Sequence, residues 1–354
     1  MKTQIIKVDP QFPEIEKIAH CAKIIRKGGL VVFPTETVYG IAADFSNEEA
    51  MVRLREVKKR DGSKPFSVLI SQKSLISNYS NTNRPAVYKL IDAFWPGPLT
   101  IIVPGKSEGR TIGLRMPDNP VALRLVEESQ CPIAAPSANF EGETPPATVE
   151  AAMASLDGLV DCAIDGGPAS IGKGSTVVDM TQEEPKILRN TVIGEDEIKR
   201  VISKKHILFI CTGNSCRSVM AEYMLKAQLA ARKDVVIFSA GTGVFVRSAA
   251  SAETISVLRE EGVDASAHRS QPVSAIDLKK SDLIFVMTRM HRQQILDRVP
   301  EVEKRSYLLK EFALTEAISQ ADLDIPDPIG HDHKTYKDCL IIIKEAIHKI
   351  KELV

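Results

Sequence analysis

Apolar and polar positions alternate in two rhythms along this chain, and the two halves use them differently. After residue 205, short apolar runs at His206–Ile210, Val235–Ser239 and Leu283–Met287 alternate with amphipathic stretches at Val219–Arg232, Ser251–Glu261 and Tyr336–Leu353. Buried strands taking turns with helical periods predict βαβ units and a parallel sheet. The earlier half is less regular. Ile15–Arg26, Val121–Glu128 and Gly194–Ile202 read as helices, and Leu30–Phe33, Ser67–Ile70 and Thr100–Val103 as strands. Ser175–Met180 and Pro185–Leu188 are β-type runs with no helix between them, which predicts a mixed, twisted sheet. The fold class is therefore α/β, with an N-terminal domain over 1–203 and a smaller, Rossmann-like parallel-sheet domain over 204–354.

Length and composition agree with two globular domains: 354 residues, 44% hydrophobic and 26% charged. The 46 basic and 46 acidic side chains cancel, which excludes a polyanion-binding composition for the whole chain but not a local cationic cleft. No apolar run reaches the ~18 residues of a membrane span, and Met1–Phe12 lacks the apolar core of a secretory signal. Six scattered cysteines are too few for a disulfide framework, so a cytoplasmic location and no membrane partner are expected.

The sharpest chemical signal is Cys211-Thr212-Gly213-Asn214-Ser215-Cys216-Arg217-Ser218 between a predicted strand and a predicted helix. Free N–H groups and the dipole at a helix start favour an anion and a thiolate at Cys211. Gly213 lets the backbone wrap a phosphate, Arg217 can grip two of its oxygens, and Ser218 can hydrogen-bond the sulfur. Asp327-Pro328 offers an acid for the leaving group. This stretch resembles the low-molecular-weight protein tyrosine phosphatase family, as do Ser239–Thr242, His268–Ser270 and Asp282–Met287. The resemblance implies a cysteine-dependent phosphatase acting on a phosphoprotein, with Cys211, Arg217 and Asp327 catalytic. Tyrosine-specific members usually carry aromatics after Asp-Pro, whereas Ile329-Gly330 follow here and Ser215 is small and polar. That pattern resembles the arginine-phosphatase branch and favours phosphoarginine over phosphotyrosine. Cys216 reads equally as a disulfide partner for Cys211 or as a packing residue. Thioredoxin-type arsenate reduction needs two further reactive cysteines, and only Cys339 follows.

In the first half, Arg53, Arg55, Lys58, Lys59 and Arg60 crowd into eight residues. Gly167–Lys173 mimics a phosphate loop, but Gly174 stands at the required Ser/Thr position and a strand follows, so a Walker-type site is rejected. A GxGxxG fingerprint is absent. Polar clusters on predicted loops remain: Pro34–Gly40, Lys58–Arg60, Trp95–Leu99, Pro136–Asn139 and Ser175–Val177. In this order they resemble the YrdC-like threonylcarbamoyl-adenylate synthase family. The resemblance implies synthesis of threonylcarbamoyl-AMP and pyrophosphate from L-threonine, bicarbonate and ATP with Mg²⁺, the product serving tRNA modification. It implies Thr35 at threonine, Ser137 and Asn139 at the nucleotide, and Ser175 and Arg189 along the phosphates. Lys58, Arg60 and Arg115 would supply cations. Trp95 is read as a packing residue. No metal-ligand cluster is expected.

A bifunctional enzyme is the leading expectation. The alternative is an RNA-binding YrdC-like module, with a concave basic surface suited to double-stranded RNA or tRNA, that regulates or targets the phosphatase. A partnership with the tRNA threonylcarbamoyl-transfer complex follows from the resemblance. Carbamoyl transfer of the hydrogenase-maturation kind is disfavoured, because those proteins carry Cys-x-x-Cys pairs and this chain has none.

Overall fold

A computed structural model describes residues 2–59, 65–312 and 323–353. The chain divides into two compact units, Met1–Thr82 with Leu90–Lys199, and Asn83–Lys89 with Arg200–Val354.

The first unit holds a mixed sheet with ten strands among the described residues. They are β1 (Gln4–Lys7), β2 (Val31–Phe33), β3 (Gly40–Asp44), β4 (Ser67–Leu69), β5 (Leu99–Pro104), β6 (Thr111–Arg115), β7 (Ile133–Ala134), β8 (Cys162–Asp165), β9 (Thr176–Asp179) and β10 (Lys186–Arg189). Their order across the sheet is β1-β8-β2-β3-β7-β4-β6-β5-β9-β10. Parallel pairs such as β5 with β9 alternate with antiparallel pairs such as β5 with β6, as the mixed pattern predicts.

Among the described residues, the helices up to residue 203 are α1 (Ile15–Arg26), α2 (Glu48–Lys58), α3 (Ile76–Tyr79), α4 (Pro85–Phe94), α5 (Pro120–Ser129), α6 (Val149–Leu156) and α7 (Glu195–Ser203). Helix α1 buries Ile18, Cys21, Ala22 and Ile25, one stripe at helical spacing. Helix α5 starts where Asn119 Oδ1 accepts from Ala122 N at 3.0 Å, with Pro120 at the first turn where no N–H is needed. Apolar clusters in this unit include one around Tyr39, Leu54 and Leu156 and another around Ile18, Phe33 and Leu125. Trp95 is buried and donates from Nε1 to Leu99 O at 2.7 Å, in keeping with a packing role.

In the second unit, β11 (Lys205–Cys211), β12 (Val235–Gly241), β13 (Leu283–Val286) and β14 (Ser306–Leu308) pair in the order β12-β11-β13-β14, all parallel. Ile207 to Ile210 are buried on both faces of the central strand, which is why that stretch reads as a continuous apolar run. Helices α8 (Arg217–Gln228), α9 (Ala252–Glu260), α10 (Ala275–Lys280), α11 (Arg289–Arg298) and α12 (His333–Leu353) complete the unit. Helix α12 buries Tyr336, Leu340, Ile343, Ile347 and Ile350 against the core containing Phe209 and Phe285. Each such side chain contributes roughly 1.5–3 kcal/mol on leaving water. Among the described residues, no helix is long and apolar enough to cross a membrane.

Candidate active sites

Strand β11 ends at Cys211, and α8 begins at Arg217, so the intervening loop runs from the carboxyl end of a central parallel strand into a helix start. The loop is wound tightly. Asn214 sits at φ +51°, a left-handed conformation that asparagine tolerates better than most residues. Gly241, at the end of β12, has to be glycine, since a Cβ there would lie 2.4 Å from Thr212 O.

Cys211 is buried, and its sulfur lies 3.0 Å from Ser218 Oγ and 3.3 Å from Asn214 N. Behind Ser218 runs a chain of polar contacts. Asn214 Nδ2 donates to Ser218 Oγ at 3.0 Å and to Ser239 Oγ at 2.7 Å, and Ser239 Oγ donates to Glu222 Oε2 at 2.5 Å. Asn214 is held at two further points: its Oδ1 accepts from Gln271 N, and its carbonyl meets His268 Nε2 at 2.8 Å. Sequence reading singled out Ser239 and His268 through the family pattern but gave no role to Glu222, a helix residue with no motif around it.

Arg217 is buried, with Nη1 donating to Ile325 O at 2.9 Å and Nη2 to Asp327 Oδ2 at 2.5 Å. Its Nε is buried without a partner. Such an orphan donor beside a thiol in a loop of backbone N–H groups suits an oxyanion. The structure thus brings Cys211, Arg217, Ser218 and Asp327 together. Cys211 and Cys216 are both free thiols, and Cys216 Sγ lies 3.5 Å from Tyr336 OH. The site also contains a residue without any sequence signal, His291, whose Nε2 lies 2.8 Å from Thr212 Oγ1.

The first unit carries a cavity of about 510 Å³ lined by Thr35, Lys58, Arg115, Ser137, Asn139, Ser175 and Arg189. Seven of the eight residues expected there share this one space, and Arg60 lies outside the described residues. Their arrangement modifies the sequence reading in three places. Lys58 is the last residue of helix α2 rather than a loop residue, since the left-handed turn that ends the helix falls at Lys59, and its side chain is buried. Its ammonium donates to Ser137 O at 2.7 Å, to Asn139 O and to Asn139 Oδ1, and so shapes the Pro136–Asn139 loop. Arg115 is ion-paired, with Nη2 2.6 Å from Glu36 Oε1, while Glu36 Oε2 is buried without a partner. Thr35 Oγ1 donates to Val38 O at 2.6 Å and accepts from Thr37 N and Val38 N, closing the turn at the cavity wall.

Arg189 Nε and Nη2 reach Ser175 O at 2.7 Å and Ser175 Oγ at 3.1 Å, and Ser175 Oγ meets Thr100 Oγ1 at 2.8 Å. Burial, and then the charge of Arg115, push Arg189 below the usual arginine range. Two cations that repel across one cavity favour an anion between them. Three described members of the basic cluster are engaged in the fold: Arg53 pairs with Asp161 at 2.6 Å, Arg55 lies over Phe66 and Lys59 over Phe140. Among the described residues, no group of three or more His, Cys, Asp or Glu side chains could hold a metal ion.

Two family models match this chain. The Sua5/YciO/YrdC family model, described as telomere recombination, matches residues 23–191, and that of low molecular weight phosphotyrosine protein phosphatase matches 206–354. A threonylcarbamoyl-AMP synthase from Bacillus subtilis (strain 168) is 38% identical over 208 residues, which are 56% of this chain and 58% of that protein. One from Pyrococcus abyssi (strain GE5 / Orsay) is 36% identical over 244 residues, 66% of this chain and 71% of the other. This chain thus spans little more than half the length of the first relative. The crystal structure of P. abyssi Sua5 complexed with L-threonine superposes with a TM-score of 0.54 at 26% identity, covering 86% of this chain and 99% of that one.

Proposed function

From the premise that this chain belongs to the Sua5/YciO/YrdC family in its N-terminal half and to the low-molecular-weight phosphotyrosine protein phosphatase family in its C-terminal half, we propose that it is a bifunctional enzyme. Residues 1–203 make L-threonylcarbamoyl-AMP from L-threonine, bicarbonate and ATP. Residues 204–354 hydrolyse phosphorylated side chains of proteins.

For the synthase, the supporting observation is the cavity with Arg115 and Arg189 facing it beside Ser175. Threonine's amine joins the carbon of bicarbonate with loss of water, giving a carbamate. A carbamate oxygen then attacks the α-phosphorus of ATP, and the bond to the β-phosphate breaks to release pyrophosphate. No protein nucleophile is required, so catalysis rests on positioning and charge neutralisation. Arg189 and Arg115 face the triphosphate, Ser175 lies along it, Ser137 and Asn139 contact the nucleoside, and Thr35 borders threonine. Mg²⁺ enters with the phosphates of ATP. The product's reactive mixed anhydride is passed to the machinery that modifies tRNA. The test is pyrophosphate release on adding threonine to protein, ATP, bicarbonate and Mg²⁺; release that ignores threonine rejects this half.

For the phosphatase, the supporting observation is the Cys211 sulfur facing Ser218 Oγ and Asn214 N, in a loop that leads into Arg217 at the start of α8. The sulfur attacks phosphorus while Arg217 holds two phosphate oxygens, and Asp327 gives a proton to the departing atom. Asp327, now a carboxylate, takes a proton from the water that attacks the cysteinyl phosphate, and the thiolate leaves toward the Ser218 hydroxyl. Phosphoarginine is the favoured substrate. The segment after Asp327 presents Ile329 and Gly330 rather than aromatic walls, and Ser215 is partly exposed at the loop. Phosphoarginine and phosphotyrosine peptides assayed side by side, with Cys211→Ser as the inactive control, decide the preference.

A further inference from the structure

The junction of β13 and α11 touches both loops of the C-terminal site. On one side, Thr212 Oγ1 of the phosphate loop meets His291 Nε2 at 2.8 Å. The other ring nitrogen meets Thr288 Oγ1 at 2.9 Å, and that hydroxyl caps α11 by accepting from His291 N at 3.3 Å. On the other side, Ile325 N donates to Met287 O at 2.9 Å, and Arg289 N donates to Asp324 Oδ1 at 2.8 Å. These two bonds fasten the segment that carries Asp327.

His291 is fully buried, and burial, followed by the charge of Arg217, pushes its imidazole down to about 4. A neutral ring has one N–H and one lone pair. Set between two hydroxyls, it satisfies both nitrogens only when one hydroxyl donates to it and the other accepts. The ring therefore fixes Thr212 relative to the α11 cap without adding a charge that would compete with Arg217 for phosphate.

We propose that His291 is a positioning residue that holds the phosphate loop, through Thr212, in register with the segment bearing Asp327, so that the acid meets the leaving atom. The inference rests on the phosphatase reading and on Asp327 as its acid. Its loss then weakens proton delivery more than it weakens attack by sulfur. Substrates whose leaving groups need a proton suffer most.

The experiment uses the full chain and a series of aryl phosphates, from 2,4-dinitrophenyl to phenyl phosphate, measuring kcat/KM for Thr212→Val, His291→Leu, His291→Asn and Asp327→Asn. Thr212→Val and His291→Leu are expected to lose roughly tenfold more on phenyl than on dinitrophenyl phosphate, in the same sense as Asp327→Asn. His291→Asn, which keeps a donor and an acceptor, should recover part of that difference. Thr212 is exposed, so its variant decides the question even where a change at buried His291 prevents folding. An equal loss on all leaving groups for Thr212→Val, beside a steepened series for Asp327→Asn, would overturn the inference. A flat series for Asp327→Asn would overturn the acid assignment and this inference with it. A parent inactive on every aryl phosphate would overturn the phosphatase reading itself.

Discussion

Arg217 Nη2 lies 2.5 Å from Asp327 Oδ2, so the cation assigned to the phosphate and the carboxyl assigned to the leaving group are paired with each other. An arriving phosphate has to take Arg217 away from this carboxylate. Asp327→Asn should therefore bind inorganic phosphate more tightly even as it turns over substrate more slowly. With Asp327 41% exposed, the lost competition is worth about 1 kcal/mol at most, or about fivefold in affinity. Competitive inhibition by phosphate measures it. Weaker binding to Asp327→Asn would show that the pair supports the anion site rather than competing with it.

Ser218 Oγ is 3.0 Å from the Cys211 sulfur, and Asn214 and Ser239 relay its orientation from Glu222. A hydroxyl donating to a thiolate acts most when that thiolate departs from phosphorus. Ser218→Ala should lower kcat by roughly 10–100-fold, the worth of a hydrogen bond to a charged group, with a smaller change in KM. Ser239→Ala should act in the same sense and more weakly. Rapid-mixing kinetics that left the second step unaltered in Ser218→Ala would argue against this role.

The contiguous parts of this architecture were legible in the amino-acid sequence. The Cys-x5-Arg-Ser loop lies within eight residues, and α1 and α5 form where their apolar periods predict helices. Strand β1 escaped notice because it is mostly exposed and lacks an apolar alternation, and β7 because it has only two residues. Strand β8 is Cys-Ala-Ile-Asp, small side chains without a β-branched run. Glu36, Glu222 and His291 act through partners 79, 17 and 79 positions away, and no local pattern announces such pairs. Lys58 was legible as a cation, while its burial against Ser137 and Asn139 required the fold.

Lys58 should matter more for the shape of the cavity than for its charge. Its ammonium serves the carbonyls of Ser137 and Asn139, so Lys58→Met leaves buried acceptors unsatisfied at about 1–3 kcal/mol each. Threonine-dependent pyrophosphate release should fall at least about tenfold, and thermal unfolding followed by the single tryptophan, Trp95, should come earlier. Lys58→Arg should rescue poorly, since a planar fork does not reproduce three donors diverging from one nitrogen. Full activity in Lys58→Met would remove Lys58 from the site.

His291 gives the second unit a distinctive acid sensitivity. Its folded imidazole protonates near 4, chiefly because burial penalises the charged form, whereas the unfolded residue takes up a proton near 6.5. Between these values the unfolded chain binds more protons, so stability falls as pH falls from about 6.5 to about 4 and then levels off. The contribution is at most about 3 kcal/mol. Urea midpoints from hydrogen exchange of the 205–211 strand, taken from pH 7 to pH 4, should fall more steeply in the parent than in His291→Asn. Parallel pH slopes for parent and variant would mean that the buried ring takes up its proton at the ordinary histidine value.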